Sequence, residues 1–355
     1  MPDNQPRYYD WNSTLAYNAD VTMVVGARGI GKTYGIRLQC IRDYIKKGFR
    51  FVELVRFKTE LSGFVSGYFN RIDTNREFDG YVFRTEGAYG YIAEKPEEGE
   101  KPKWQLMSYF LAMSDAQQLK KRTYDRVKRI IFDEAVLDKD DRYHRYLPHE
   151  FSTLANIVDT VSRERADVDG VPPRVYLLGN ALDLFNPYFI AYNVNVPRKG
   201  YRWYKNKTFL LHYAEDKEYS KEKAAQTVAG RMLQGTVEGA IANDNEFTRQ
   251  NKDFIRKKNK AAKFSFGVVF DGWTFGIWDD RNNGYYYVTD KVPEKSNRPI
   301  FAVTVDDDRV NYVAARKAEN ALKGFTEMHY LGIIRYESVA IREKFLEVLQ
   351  MFGVR

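Results

Sequence analysis

Short apolar runs and segments of helical spacing alternate along roughly the first two hundred residues. The apolar runs predict buried strands at about 21–25, 51–55, 127–132 and 174–178. Segments with apolar residues at helical spacing follow them, at about 32–46, 59–70 and 150–163. The stretch 80–113 adds two hairpin arms and another apolar strand. Strands that alternate with helices indicate an α/β fold with a parallel sheet.

The pattern changes after about residue 200. Residues 215–234 are rich in charges and alanine and predict a helix that joins two domains. Aromatic strands begin at Lys263, with hairpin turn signals at Asp271-Gly272 and Asn283-Gly284, and a helix at about 338–352 follows. We therefore predict an α/β domain over 1–200, a helical linker over 201–245 and a small α+β domain over 246–355.

Composition narrows the class of protein. A net charge of +8 and a pI of about 9.1 over 355 residues favour a polyanionic partner only weakly. Cys40 is the single cysteine, which excludes an intramolecular disulfide and fits a reducing compartment. Apolar runs fall short of the roughly 20 residues of a membrane span. Because the first residues are polar, we expect a soluble, intracellular protein with no membrane partner.

One segment of the sequence identifies the class of ligand that the protein binds. Residues 26–33 read Gly-Ala-Arg-Gly-Ile-Gly-Lys-Thr, directly after the apolar run 21–25 and before a predicted helix. This is a complete G-x-x-x-x-G-K-[ST] phosphate-binding loop in its required context, so the sequence predicts ATP and Mg²⁺ as cofactors. Backbone N–H groups would surround the phosphates, Lys32 would reach the β- and γ-phosphates, and Thr33 would bind Mg²⁺. The predicted binding residues are Gly26, Arg28, Gly29, Gly31, Lys32 and Thr33.

The apolar run 127–132 ends in Asp133 and Glu134. Behind a phosphate-binding loop, Asp133 is predicted to hold Mg²⁺ and Glu134 to act as the general base on the attacking water. Many strands end in acidic turns, so this pair is informative only together with the loop. No Asn-Lys-x-Asp segment of the kind that reads guanine occurs in the expected region, which favours ATP over GTP.

Other polar residues have both a functional and an ordinary interpretation. Asn180 follows a predicted strand and could sense the γ-phosphate, or it is a common turn asparagine. Arg163 and Arg165 could reach the nucleotide of a neighbouring subunit, or could simply favour a helix C-terminus. Basic clusters around Lys120 and across 249–263 could bind phosphate backbones, or form solvated basic faces.

Four aspartates of the C-terminal region raise the possibility of a two-metal nuclease site. Asp271 lies in a hairpin turn and Asp279-Asp280 precede another, so we favour a structural role for them; Asp290 is the fourth. The four histidines show no metal-binding spacing.

The ordered set of motifs resembles the DNA-packaging ATPases of small phi-29-like phages. Besides the loop at 25–34, the matching segments in the same order are 131–134, 159–163, 179–181, 186–189 and the hairpin 264–287. The resemblance implies a P-loop ATPase of the ASCE type with a parallel sheet. It also implies a small α+β C-terminal domain that resembles an RNase H-like nuclease fold without its acidic site.

The resemblance further implies a terminase-like motor that pushes double-stranded DNA into a preformed capsid. Family members act as a homopentamer at the capsid portal in the cytoplasm of the infected bacterium, and some require a structural packaging RNA. Arg163 falls on the family's trans-acting arginine finger, with Arg165 left open by a longer loop at 165–173. Lys120 falls on a trans-acting basic residue and Lys58 on a DNA-contacting lysine. The basic cluster makes Arg256, Lys257 and Lys258 further candidate DNA contacts.

Three alternatives stay open from the sequence. The chain could be a helicase or recombination ATPase with strand-separating activity. It could be a large-terminase-like enzyme whose C-terminal domain still cuts DNA. It could also be a basic scaffold or DNA-binding module with an inactive phosphate-binding loop.

Overall fold

The structure is a computed structural model whose described residues fall into two compact units. The first unit comprises 1–183 and 198–248, and the second comprises 184–197 and 249–355. The residues described are 9–137, 146–162, 172–180, 186–194, 198–205, 207–215, 228–233, 235–236, 254–309, 312–314 and 319–354.

The first unit is built on a nine-stranded mixed sheet, among the described residues. Its strands are β1 (Val21–Val25), β2 (Arg50–Val55), β3 (Tyr81–Glu86), β4 (Tyr89–Glu94), β5 (Gln105–Ala112), β6 (Val127–Phe132), β7 (Arg174–Gly179), β8 (Arg202–Lys205) and β9 (Phe209–Tyr213). They follow the order β3-β4-β5-β2-β6-β7-β1-β9-β8. The strands from β5 to β9 in that order pair in parallel, and antiparallel strands lie at both ends.

Helices of the first unit connect these strands. They are α1 (Trp11–Leu15), α2 (Lys32–Lys47), α3 (Lys58–Ser66), α4 (Asn70–Thr74), α5 (Ala116–Leu119), α6 (Glu150–Ser162) and, after an undescribed stretch, α8 (Val228–Leu233). The central strands are buried nearly throughout because their apolar runs are covered on both faces. This sheet with its parallel centre confirms the predicted α/β class.

Two parts of the chain differ from the predicted domain boundaries. The predicted linker begins with β8 and β9 rather than with helix, because the apolar run Phe209–Tyr213 pairs with β1 inside the sheet. Residues 184–197 group with the second unit, although they were assigned to the first domain. Within them α7 (Pro187–Ala191), capped by Asn186, buries the rings of Tyr188 and Phe189 completely.

The second unit contains a six-stranded sheet, as far as it is described, and two longer helices. The strands are β10 (Lys263–Phe270), β11 (Trp273–Asp280), β12 (Tyr285–Thr289), β13 (Ile300–Ala302), β14 (Val313–Ala314) and β15 (Ile334–Tyr336), in the order β14-β13-β10-β11-β12-β15. The helices are α9 (Glu319–Tyr330) and α10 (Val339–Met351). Asp271 and Gly272, both at positive φ, turn β10 into β11.

Membrane-spanning helices are not found in the described part of the chain, where every helix is too short or too polar to cross a bilayer.

Candidate active site

The phosphate-binding loop connects the buried end of β1 to the first turn of α2. Gly29 and Gly31 have φ values of +90° and +82°, a conformation that side chains other than glycine rarely adopt. Gly26 is packed closely, since a Cβ there would lie 2.8 Å from the Ile30 side chain. Positions 29 and 31 therefore need glycine for their conformation, whereas a Cβ at Gly26 would require the Ile30 side chain to shift.

Lys32 lies at the centre of the loop. Its ammonium donates hydrogen bonds to the carbonyl oxygens of Gly26 and Ala27, both at 2.8 Å, and its side chain is buried. The indole of Trp11 donates to the carbonyl oxygen of Lys32 over 2.9 Å, and the Tyr9 amide donates to Ile30 over 2.7 Å. Tyr9 and Trp11, which precede β1, thus hold the loop and the start of α2 in place through these hydrogen bonds.

The two predicted metal-binding residues are in direct contact. The Thr33 hydroxyl, in the first turn of α2, donates to Asp133 Oδ2 over 2.7 Å. Asp133 immediately follows β6, and its other carboxylate oxygen accepts the Glu134 amide over 2.9 Å. A hydroxyl and a carboxylate are oxygen ligands of the kind Mg²⁺ prefers. The pair therefore fits the metal that the phosphate-binding loop implies.

Glu134 has an unusual backbone and an exposed side chain. Its φ is +54°, which is uncommon for a residue other than glycine, and such backbone strain clusters at functional sites. Its carbonyl oxygen accepts from Arg56 Nη2 over 3.2 Å. Arg56, which follows β2, thus holds the Glu134 carbonyl in place, while the Glu134 carboxylate is exposed to solvent at the end of β6.

Arg56 and Glu150 form a buried ion pair that the sequence did not reveal. Arg56 Nε and Nη2 donate to the two Glu150 carboxylate oxygens over 2.8 and 3.0 Å, and the residues are 4% and 2% exposed. The guanidinium also lies 5.0 Å from the centre of the Phe132 ring. The position of Arg56 directly after a predicted strand was the only sequence signal for this ion pair, because Glu150 lies 94 residues away.

Asn180 follows β7 and lies against the phosphate-binding loop. With the side-chain amide oriented to match its neighbours, its nitrogen donates to the Gly26 carbonyl over 3.1 Å and its oxygen accepts from Arg28 Nε over 3.2 Å. Lys32 Nζ lies 3.4 Å from the same amide. Because β6, β7 and β1 are neighbours in the sheet, the polar residues at their carboxyl ends meet at one edge.

The remaining predicted residues lie on other elements or outside the described residues. Lys58 begins α3, where its amide donates to Ser114 Oγ over 3.0 Å and its ammonium lies 3.1 Å from Asp115. Lys120 is exposed at the end of α5. Arg163 and Arg165 lie outside the described residues. Arg256, Lys257 and Lys258 belong to the second unit, where Lys258 Nζ lies 4.2 Å from the Trp278 ring centre.

The aspartates of the second unit have local partners. Asp280 accepts hydrogen bonds from the side chains of Asn259 and Asn283, and Asp271 pairs with Lys344. The described residues hold no cluster of three or more histidine, cysteine or acidic side chains that could bind a metal. These contacts are consistent with the structural role favoured for Asp271 and Asp280.

Comparison with known proteins places the chain in one family. The family model described as podovirus DNA encapsidation protein (Gp16) matches residues 3–353. The DNA packaging protein of Bacillus phage phi29 is 31% identical over 350 residues, 98% of either chain. That of Bacillus phage B103 is 33% identical over 344 residues, 96% of this chain and 100% of the relative.

Solved structures agree along the whole chain. The viral genome packaging motor assembly of bacteriophage phi29 aligns with a TM-score of 0.72 and 30% identity, over 98% of this chain and 99% of that one. The N-terminal domain of the phi29 DNA packaging ATPase aligns with a TM-score of 0.50 and 32% identity, over 60% of this chain and 98% of that one. With this agreement and the family match, the chain belongs to the podovirus DNA encapsidation protein (Gp16) family.

Proposed function

We propose that this protein is an ATP-hydrolysing motor that moves double-stranded viral DNA into a preformed capsid. The observation that carries the proposal is the 2.7 Å contact between Thr33 of the phosphate-binding loop and Asp133, with Glu134 next in the chain. This contact joins the two halves of an ATPase site that are a hundred residues apart in sequence. The relatives described as DNA packaging proteins support DNA packaging as the task of this motor.

In the proposed reaction the loop holds the phosphates of ATP through its backbone N–H groups and the N-terminus of α2. Lys32 exchanges its two loop carbonyls for phosphate oxygens, and Asn180 contacts the γ-phosphate from β7. Thr33 and Asp133 would hold Mg²⁺, and the bound ion would offset negative charge on the phosphates. Glu134 accepts a proton from the attacking water, whose oxygen bonds to the γ-phosphorus while the bond to the β–γ bridging oxygen breaks and ADP leaves.

The motor is proposed to work as a homo-oligomeric ring, a pentamer by family likeness, at the capsid portal in the host cytoplasm. Arg163, or Arg165, would then complete a neighbour's site and Lys120 would assist it, so each site would depend on the next subunit. The likeness to a phi29 motor assembly supports the ring. The ring is tested by measuring the mass of the protein with DNA and a non-hydrolysable nucleotide, with and without a packaging RNA. A monomer under all these conditions would contradict the ring.

The second unit is proposed to be an RNase H-like domain that no longer cuts DNA. If its strands are counted along the chain from β10, five of them lie side by side in the order 3-2-1-4-5, which is β12-β11-β10-β13-β14. Strands β10, β11 and β12 pair antiparallel, whereas β13 and β14 run parallel to β10. Asp307, just after β13, accepts the amides of Asp271 and Gly272 over 2.9 and 3.1 Å. The Asp307 carboxylate is occupied by these two hydrogen bonds, and Asp271 is paired with Lys344. Neither carboxylate is therefore readily available to bind a metal ion.

This proposal predicts that the protein does not cleave DNA with Mn²⁺ or Mg²⁺ present. Cleavage that is lost in Asp271→Ala would contradict it and would favour the nuclease alternative instead.

The test of the ATPase assignment is Glu134→Gln. The amide keeps the shape of the carboxylate but cannot accept the proton, so we expect nucleotide binding to persist and turnover to fall by at least about a hundredfold. Binding is measured with a fluorescent ATP analogue and turnover by phosphate release in the presence of duplex DNA. Glu86→Gln, an exposed glutamate on β3, is the matched control and should retain activity.

Turnover that persists in Glu134→Gln would remove Glu134 from this role. Absence of turnover in the wild-type protein with DNA, portal and capsid present would favour the inactive-scaffold alternative. Strand separation on a forked duplex would favour the helicase.

A further inference from the structure

Strand β8, at the end of the first sheet, presents aromatic rings to solvent. The order of the described strands ends with β8, which pairs only with β9 among them. Every residue of β9 is buried, whereas β8 is exposed from Trp203 to Lys205. Tyr201, Trp203 and Tyr204 are 53%, 40% and 40% exposed. Three large rings on or directly before this outer strand are therefore partly exposed, although Trp203 also packs edge-on against Phe209 of β9, with 5.9 Å between ring centres.

The same segment is strongly basic. Residues 198–209 contain no aspartate or glutamate and carry five cationic side chains, Arg198, Lys199, Arg202, Lys205 and Lys207. Three acidic side chains of the same unit have local contacts: Asp10 caps α1, Asp20 pairs with Arg174, and a Glu215 carboxylate oxygen lies beside Gly200 within this segment. Lys205 and Lys207 are exposed. The charge of this strand and its flanks is thus complementary to a polyanion.

Rings and cations alternate along the strand. Side chains of successive strand residues point to opposite faces, so Tyr201, Trp203 and Lys205 share one face. The Arg198 guanidinium lies 4.1 Å from the centre of the Tyr201 ring. On the other face Tyr204 lies 5.4 Å from Tyr17, ring centre to ring centre. Each face therefore combines flat apolar surface with positive charge.

We infer that the β8 face, defined as Tyr201, Trp203, Lys205 and Lys207, binds unpaired nucleotides of a nucleic acid. Lysine side chains attract the phosphates of any nucleic acid, but exposed rings can stack only on bases that have left a double helix. A second protein copy is disfavoured as the occupant because five like charges would oppose five more. This binding differs from the duplex transport proposed above and does not depend on ATP hydrolysis.

The test measures fluorescence anisotropy of labelled probes at low salt with the full-length chain. The probes are a 20-nucleotide single-stranded oligouridine, an oligothymidine of the same length and a 20-base-pair DNA duplex. We expect Tyr201→Ala/Trp203→Ala to weaken binding of one or both single-stranded probes about tenfold or more, with duplex binding nearly unchanged. The two single-stranded probes distinguish RNA from single-stranded DNA as the source of the unpaired bases.

Three further variants separate stacking from charge and from folding. Trp203→Phe keeps a ring and should keep affinity for the single-stranded probe. Lys205→Ala/Lys207→Ala should weaken all probes and make the salt dependence shallower by about 1.4 in the logarithmic slope for single strands. Tyr330→Ala, an exposed tyrosine of the second unit that is 64% exposed, is the matched control and should bind as the wild-type protein does.

Several outcomes would overturn the inference. One is unchanged single-strand affinity in the double aromatic variant, and another is equal loss for single-stranded and duplex probes. A third is retained single-strand binding together with a changed sedimentation coefficient, which would make the β8 face a contact between copies of the chain. ATP turnover without nucleic acid is measured in parallel, so a failure of the ATPase proposal is recognised separately.

Discussion

At the scale of single residues, the candidate site could be predicted where its chemistry is contiguous in sequence. The loop ending in Lys32-Thr33 and the pair Asp133-Glu134 are short motifs, and the structure brings them within hydrogen-bonding distance. Arg56 and Glu150 could not be predicted, since neither belongs to a motif and only folding brings them together. The positive φ of Glu134 was equally hidden, because most residues with that conformation are glycine or asparagine.

His212 gives a prediction about pH. Burial, and then the nearby Arg202 guanidinium, lower the pKa of His212 to about 4, and Tyr9 OH lies 2.5 Å from its Nδ1. In the unfolded chain the pKa is about 6.5, so as the pH falls from about 6.5 towards 4 the unfolded state takes up the proton first. We expect the free energy of unfolding to fall across this interval, and to fall less in His212→Gln.

Urea unfolding at pH 7.5, 6, 5 and 4.5 measures this effect. His149→Asn replaces an exposed histidine at positive φ by a residue that tolerates the same backbone, and should follow the wild-type curve. Equal pH dependence in His212→Gln and the wild-type protein would show that other groups cause it.

At the scale of elements, apolar runs predicted the strands that lie inside the parallel sheet. Strands β6 and β7 begin where the sequence placed them, because each contains a run of apolar residues, at 130–132 in β6 and at 175–178 in β7, that a charged residue or glycine ends. Strand β8 was missed because its exposed alternation of basic and aromatic residues contains no apolar run. Strand β9 was missed because the surrounding charged residues suggested a linker.

Arg56 connects three elements, since it follows β2, neutralises Glu150 at the start of α6 and holds the Glu134 carbonyl after β6. Arg56→Met would leave a buried carboxylate without its cation. We expect the free energy of unfolding to fall by about 3–5 kcal/mol, measured by urea titration. ATP turnover should also fall, because Glu134 loses the donor that fixes its carbonyl.

The matched control is Arg84→Met, which removes the exposed ion pair with Glu86 on β3 and the contacts of the guanidinium with the Tyr91 and Trp104 rings, and should cost no more than about 2 kcal/mol. Adding Glu150→Leu to Arg56→Met should recover much of the lost stability, because no buried charge then lacks a partner. Similar small losses in the Arg56 and Arg84 variants would contradict this account of the buried pair.

At the scale of the whole molecule, a net charge of +8 indicated a polyanionic partner but could not say where it binds. The change in pattern after residue 200 predicts two domains. It does not predict that the two units are made of interleaved segments, because tertiary packing decides which unit buries a short apolar helix such as α7.

If duplex DNA is held through its phosphates, its affinity should fall steeply with salt, as released counterions drive binding. Lys58→Ala should weaken binding of every duplex sequence alike and reduce the slope of log affinity against log salt by about 0.9. Fluorescence anisotropy between 50 and about 200 mM salt measures this slope. Lys101→Ala, an exposed lysine in the charged loop after β4, is the control and should leave the slope unchanged.

A flat salt response in the wild-type protein would contradict phosphate-based binding, and an unchanged slope in Lys58→Ala would remove that lysine from the contact.

The grouping of 184–197 with the second unit decides how the protein can be dissected. The chain passes between the units three times, after Asp183, after Pro197 and after Thr248, so a single cut cannot separate them cleanly. A fragment that stops at 200 would carry the rings of Tyr188 and Phe189 without their packing partners, and would lack two strands of its own sheet. Fragments intended for biophysics should instead omit 184–197 from the first unit, with a short linker, and fuse that segment to the second.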